Sequence, residues 1–275
     1  MIKEPSNKAK FFIQLTLIIG ALAMIIPFLW MLLTSGKTQA ESTAIPPQIF
    51  PEKFQWKNYS NVWDALPFVS FYWNTGVMIA GRVLFSTLFS AMAAFAVAKL
   101  EFPGKNIFFM LVLTQMMIPA QIFITPQYLL VQKLGLLDTT IALIIPGIVS
   151  AFGTFLLRQF FLQLPDDMME AAKIDVANIG QIFFKVYLPL ARSGLVSLSV
   201  FTALFAYKDL TWPLIANISQ DKMSLSAGIT TLQGQFTTNY PELMAGSVIS
   251  IIPMVILYII FQKQFIEGIA NTGGK

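Results

Sequence analysis

Few residue types in this 275-residue chain can do covalent or acid–base chemistry. It has no Cys and no His. That removes disulfides, thiolate and imidazole metal sites, Ser-His and Cys-His nucleophile pairs, and His proton relays. Carboxylates, Lys and Tyr remain. Their densest group lies in "PDDMMEAAKIDVANIGQIFFKVYLPLARSG", Pro165 to Gly194. A second set stands alone in apolar surroundings: Arg82 and the pair Lys208–Asp209. Charges there are costly and often functional. For all three residues we expect structural roles, with a local ion pair or cap explaining Lys208 and Asp209. The end of the chain, "GIANTGGK", mimics a phosphate-binding loop. It has one residue too many before Lys, no Ser or Thr after it and no strand before it, so nucleotide binding is excluded.

The elements that must position these groups are apolar. Charged residues make up 12% of the chain, against about 25% in a soluble domain. Hydrophobic residues make up 56%, and mean hydropathy is +0.67. The +4 net charge is spread along the chain and forms no nucleic-acid stripe. Six runs are long enough to cross about 30 Å of hydrocarbon as helices: Phe11–Leu33, Phe71–Ala98, Ile107–Ile124, Thr139–Phe161, Gly194–Trp212 and Glu242–Phe261. The first is too long for a signal-peptide core and is read as a retained anchor. With both termini cytoplasmic, the inside segments carry eleven Lys and Arg and the outside segments six, as the positive-inside rule requires. Ser35–Pro67 is a long polar connection, Gln127–Leu137 a short surface helix, and Ala216–Tyr240 a polar stretch. Pro119, Pro146 and Pro253 should bend their spans. Kinked spans suit a pathway, although Pro is also commoner in membrane helices generally.

The charged stretch reads as two short helices. Asp167-Met-Met-Glu170 and Asn178-Ile-Gly-Gln181 have capping-box spacing. Met169, Ala172 and Val176 share one face of the first helix. Ile179, Ile182, Phe183 and Val186 give the second an apolar side, and Leu188-Pro189-Leu190 stops it. Such a pair fits a partner's groove, a membrane surface, or its own spans; periodicity does not choose.

Glu170-Ala171-Ala172, then Ile174-Asp175, Ala177, Phe183 and Leu188-Pro189-Leu190, resembles the "EAA" loop of the membrane subunits of bacterial ABC importers. "KNYSNVW", "YWNTGVMIA", "AFAVAKLEFPGK", "MMIPAQ", "FLLRQFF", "LMAGSVISIIP" and the tail "FQKQFIEGIANTGGK" are similar to its carbohydrate-uptake branch. The likeness covers nearly the whole chain and is to the shorter, six-span partner of the maltose-type permease pair.

The resemblance implies an all-α integral membrane protein with six transmembrane helices. It implies one transmembrane domain over 1–275, with a cytoplasmic two-helix coupling loop at about 165–193. The chain would sit in the bacterial cytoplasmic membrane and carry an oligosaccharide or related polyol by alternating access. Its partners would be a second permease (a heterodimer), two ATP-binding subunits and an extracytoplasmic solute-binding protein. ATP hydrolysis would belong to the separate subunits, leaving this chain without catalysis, cofactor or metal. In the coupling loop Glu170 would pair with a basic residue of the ATPase. Ala171 and Ala172 would allow close approach, and Met169, Asp175, Ala177 and Phe183 complete the set. Asn271, Thr272 and Gly273 would reach towards the ATPase dimer interface.

Three positions depart from the family pattern. Val176 replaces a Gly. A β-branched residue tolerates positive φ badly, so the turn is expected to be made otherwise, with help from Gly180. Ser193 replaces a Pro, and Tyr207-Lys208 precede Asp209 where Trp-Asn is usual. A sugar site would use aromatic faces and hydroxyl-matching side chains; Trp73, Asn74, Gln115, Gln121 and Tyr207 are the candidates. In the maltose-type pair most substrate contacts belong to the other permease. Two rivals stand: an ion-coupled secondary transporter using Arg82 and Asp209, weakened by the lack of inverted repeats, and a non-transporting scaffold. A permease for a non-sugar solute is the further alternative.

Overall fold

An apolar segment in lipid must satisfy its own backbone groups, which favours helices. The computed structural model describes the backbone over 7–234 and 237–272 and side chains over 8–234 and 237–263. Among the described residues every regular element is helical. Three helices are unbroken and membrane-length: Lys8–Ser35, Phe68–Lys99 and Tyr240–Lys263. Three further apolar segments are bent pairs: Lys105–Met117 with Ala120–Lys133 at 103°, Thr140–Gly147 with Ala151–Leu162 at 48°, and Ile179–Leu190 with Arg192–Lys208 at 78°. Counting each bent pair as one span gives six by length and composition, with Ile179–Leu190 belonging to the charged loop that leads into the fifth.

The chain divides into two compact units. The first comprises Met1–Leu66 and Ile229–Ile252. Its long helix exposes a continuous apolar surface, Phe12, Leu17, Ile19 and Met24 among it, as a lipid-facing helix does. Beyond that helix the polar connection is held by hydrogen bonds. Asn58 donates to the Ser35 and Lys37 carbonyls, both at 2.8 Å. Buried Lys37 donates to the Gln48 carbonyl at 2.6 Å and lies 4.5 Å over the Trp30 ring. Thr38 and Glu41 form a complete capping box. Backbone N–H bonds from Thr38 and Glu52 hold the Glu41 carboxyl below its usual pKa.

The second unit comprises Pro67–Gly228 and Pro253–Lys275. Its axis is the helix Phe68–Lys99. Asn74, Met78, Arg82, Ser86, Ser90 and Ala94 are buried and fall four residues apart, which places them on one slowly turning stripe. The small residues let the helix Ala151–Leu162 approach closely. A Cβ on Gly153 would lie 2.6 Å from Ser90 Oγ.

Proline marks these breaks, although Pro27 and Pro253, the latter expected to bend its span, lie inside unbroken helices. A proline removes one N–H and its ring collides with the carbonyl four residues back. Pro119 ends the helix Lys105–Met117. At 13 residues that arm is about 20 Å long, so the expected straight span Ile107–Ile124 becomes a short arm with a sharp turn. Pro146 bends the fourth span. The fifth helix stops at Lys208 rather than continuing to Trp212, because Pro213 forbids a helical carbonyl at Asp209. That freed carbonyl accepts from Ser226 Oγ at 2.7 Å. Next to this turn Asp138, at φ 58°, staples the segment after Ala216. Its carboxylate accepts from Ser219 Oγ and from the Ser219 and Ile218 N–H groups at 2.9 and 3.0 Å. These bonds hold its pKa below the usual carboxylate value.

Candidate functional site

Two places in the second unit gather the residues singled out above. The first is the charged loop. The helix Asp167–Ile174 begins after Asp166, and no side chain caps it. The expected Asp167 capping box is therefore absent. Asp167 and Glu170 instead lie in the first turn, where carboxylates favour the helix dipole. The neighbouring Asp166 is engaged by Lys99, at 2.5 Å. The second box is complete: Asn178 accepts from Gln181 N–H and Gln181 from Asn178 N–H, both at 2.9 Å.

Between the helices Val176 has φ 57°, overturning the expectation that it avoids the left-handed region. Ala177 N–H bonds to Ala172 O and Val176 N–H to Lys173 O, both at 3.0 Å. This is a Schellman ending with Val in the position that Gly normally fills. Holding an L-residue there costs about 1–2 kcal/mol. Gly180 lies inside the next helix and does not make the turn. That helix passes through a π-segment, Ile182–Tyr187, before Leu188–Leu190. The wide turn lets it run past Pro189 instead of stopping there; it ends at Ala191.

Burial divides the loop sharply. Met169, Ile182, Phe183 and Tyr187 join a core with Phe95, Leu157 and Phe161, and Ala172 and Ala177 pack against it. Tyr187 and Phe183 ring centroids lie 5.1 and 5.3 Å from that of Phe95. Lys99, at the end of the second span, is buried and donates to the Leu164 carbonyl at 2.6 Å as well as to Asp166. Outward face Glu170, Ala171, Lys173 and Asp175, with Ile174 81%, Val176 89% and Ile179 56% exposed. Ile174 stands in the quoted motif beside Asp175 but has no contact role in the sequence reading. Val176 and Ile179, placed on the apolar faces of the two helices, are exposed and do not join the core that takes up Met169, Ile182 and Phe183. Asn271 and Thr272 lie in helix without described side chains, and Gly273 lies outside the described residues.

The second place is where the proline breaks meet. Pro146 frees the Ala142 carbonyl, which accepts from Trp212 Nε1 at 2.8 Å. The next carbonyl, Leu143 O, accepts from Arg82 Nε at 2.7 Å. Arg82 Nη1 pairs with Asp209 at 2.8 Å. Asp209 thus pairs across the unit and not with Lys208, which is exposed. Gly147 lets the Arg82 stem in, since a Cβ there would fall 2.6 Å from Arg82 Cδ. Arg82 lies about 21 Å along its helix from Phe68, and its Nη2 is buried without a hydrogen-bond partner among the described residues. Such an orphan donor costs about 1–3 kcal/mol. A cavity of about 360 Å³ opens here, lined by Arg82, Asp209, Gln115, Gln121, Gln127 and Thr211 among others. Of the five sugar-site candidates, Gln115 and Gln121 both line it. Trp73 is 71% exposed, Asn74 is buried and donates to the Asp221 and Met223 carbonyls, and half-buried Tyr207 does not line the cavity. Gln127, Thr211 and Trp212 were missed; Pro213, four residues after Asp209, was the available signal.

Residues 86–269 match the family described as binding-protein-dependent transport system inner membrane component. The chain belongs to this family: it is a multi-pass membrane permease component of a binding-protein-dependent, ATP-driven importer. It is similar to the arabinooligosaccharides transport system permease protein AraQ of Halalkalibacterium halodurans, 42% identical over 70% of this chain and 69% of that one. It is also similar to the sn-glycerol-3-phosphate transport system permease protein UgpE of Yersinia enterocolitica, 29% identical over 95% and 96%. A solved bacterial ABC transporter involved in the import of the acidic polysaccharide alginate aligns with a TM-score of 0.79. There identity is 25% over 96% of this chain and 99% of that one.

Proposed function

We propose that the chain is the shorter permease of a heterodimer that imports an oligosaccharide or related polyol, working with two ATP-binding subunits and an extracytoplasmic solute-binding protein. In this reading residues 1–275 act as one transmembrane domain, both termini are cytoplasmic, and the chain itself is non-catalytic. The loop at about 165–193 is the coupling element, and ATPase closure moves it so that the spans rock and expose the cavity outward.

One observation carries the reading. Ile174, Val176 and Ile179 stand exposed at the tip, while Phe183 and Tyr187 bury their rings against Phe95 and Phe161. An apolar tip on a rigid base is suited to a partner's cleft. Glu170 and Asp175 form the polar side of the contact and exposed Ala171 lets the partner approach closely; Met169, Ala172, Ala177 and Phe183 hold the loop to its spans. Asn271, Thr272 and Gly273 are assigned to the ATPase interface on resemblance alone. The solute class is supported by AraQ and by the alginate transporter; UgpE keeps a non-sugar solute as the second reading. Membership of a binding-protein-dependent family leaves the ion-coupled rival without support.

The test is purification of the tagged chain in mild detergent with its partners, then reconstitution. An ATPase and a second permease should co-purify. Glu170→Lys should abolish solute-stimulated ATP hydrolysis while membrane insertion is retained. Unchanged stimulation would remove Glu170 from coupling, and recovery of this chain alone would remove the importer assembly.

A further inference from the structure

Breaks in transmembrane helices survive where the freed backbone lines a cavity or is buried in protein, and solute sites of transporters are often built from such broken helices. In this chain the breaks at Pro119, Pro146 and Pro213 all border one polar cavity, beside a guanidinium deep along its helix. Trp212 Nε1, Arg82 Nε and Ser226 Oγ satisfy the carbonyls of Ala142, Leu143 and Asp209. Backbone repair therefore accounts for one Arg82 nitrogen. It does not account for the Asp209 carboxylate, which keeps 23% of its side chain accessible, or for the buried Nη2 of Arg82, which has no hydrogen-bond partner among the described residues.

We infer that the cavity at Arg82 and Asp209 is a solute subsite of this chain, shaped for one neutral polyhydroxylated ring. The inference rests on the permease reading above. The amides of Gln115, Gln121 and Gln127 and the hydroxyl of Thr211 each both donate and accept, as a sugar hydroxyl does. Asp209 adds an acceptor: its Oδ2 is taken by Arg82, while Oδ1 receives a 3.4 Å contact from Trp212 N–H. Arg82 is a positioning residue that fixes the carboxylate. The charges of the lining cancel, because its cation and its anion are bonded to each other at 2.8 Å. A phosphate or carboxylate would meet Asp209 with no free cation to offset it. At about 360 Å³ the space is near the small end of ligand pockets, roughly 300–1,000 Å³, which suits a single ring.

The absence of native Cys supplies the test. Single variants Gln121→Cys and Thr211→Cys, with Lys53→Cys as control, are assembled into the full importer and labelled with a maleimide. The probes are arabinotriose and maltotriose as neutral sugars, and glycerol 3-phosphate and trigalacturonate as anions. At least one neutral sugar should slow labelling at both cavity positions, by about tenfold when present at about ten times its Kd, and leave the control unchanged. In an Asp209→Asn background the unpaired Arg82 should shift protection to an anionic probe. Protection by no neutral sugar, or by an anion alone with Asp209 intact, overturns the subsite. If that happens in a preparation that still carries its ATPase, the permease reading stands and only the subsite falls. If no ATPase co-purifies, the permease reading is what has failed.

Discussion

Val176 carries a measurable strain. Its φ of 57° costs about 1–2 kcal/mol for an L-residue. Glycine would remove that cost but add unfolded-state freedom worth about 0.4–1 kcal/mol. Val176→Gly should therefore stabilise the loop, by about 1.6 kcal/mol at most, and raise the thermal midpoint of the purified importer. Val176→Ala keeps the strained backbone and should bring no such gain. A lower midpoint for the glycine variant would show that the exposed valine side chain is worth more than its strain. The sequence marked this residue as anomalous but gave the wrong outcome. The Schellman hydrogen bonds from Val176 and Ala177, together with the burial of Ala172 and Ala177 against the core, outweigh a local preference of that size.

At the scale of elements, the link between the charged loop and the second span is Lys99. Its ammonium serves the Leu164 carbonyl and the Asp166 carboxylate, and the two bonds are unequal. The Asp166 side chain is 82% exposed, so that pair is worth about 0–1 kcal/mol. Leu164 O, if it loses its donor, costs about 1–3 kcal/mol. Hydrogen exchange over residues 165–190 should speed up by about tenfold to a hundredfold in Lys99→Met, and only slightly in Asp166→Asn. Equal effects would mean that the ion pair, not the carbonyl anchor, holds the loop. Sequence reading placed the helix pair within a few residues, because Asn178 and Gln181 form their box from neighbours. It missed the first cap because Asp166 answers to a lysine 67 positions away.

For the whole molecule, six apolar segments and the distribution of Lys and Arg set the expected topology. In a chain without native Cys, Lys53→Cys should react with a membrane-impermeant thiol reagent in intact cells. Lys173→Cys should react only after the membrane is opened. The reverse pattern would invert the orientation and put the charged loop out of reach of any cytoplasmic ATPase.

The amino-acid sequence alone determined what depends on composition and near neighbours. The scarcity of charge dictated a membrane protein, and the apolar runs dictated where its helices lie. Pro119 and Pro146 marked two breaks, and the charged stretch marked a loop of two helices. Only the tertiary structure decided that three breaks meet at Arg82 and that Asp209 pairs with it across 127 residues. It also decided that Ile174, Val176 and Ile179, not Met169 and Phe183, form the exposed tip. These outcomes depend on which helix faces which. That choice is made by the small-residue stripe along Phe68–Lys99 and by the search of freed carbonyls for donors, and neither partner is legible from its own neighbours in sequence.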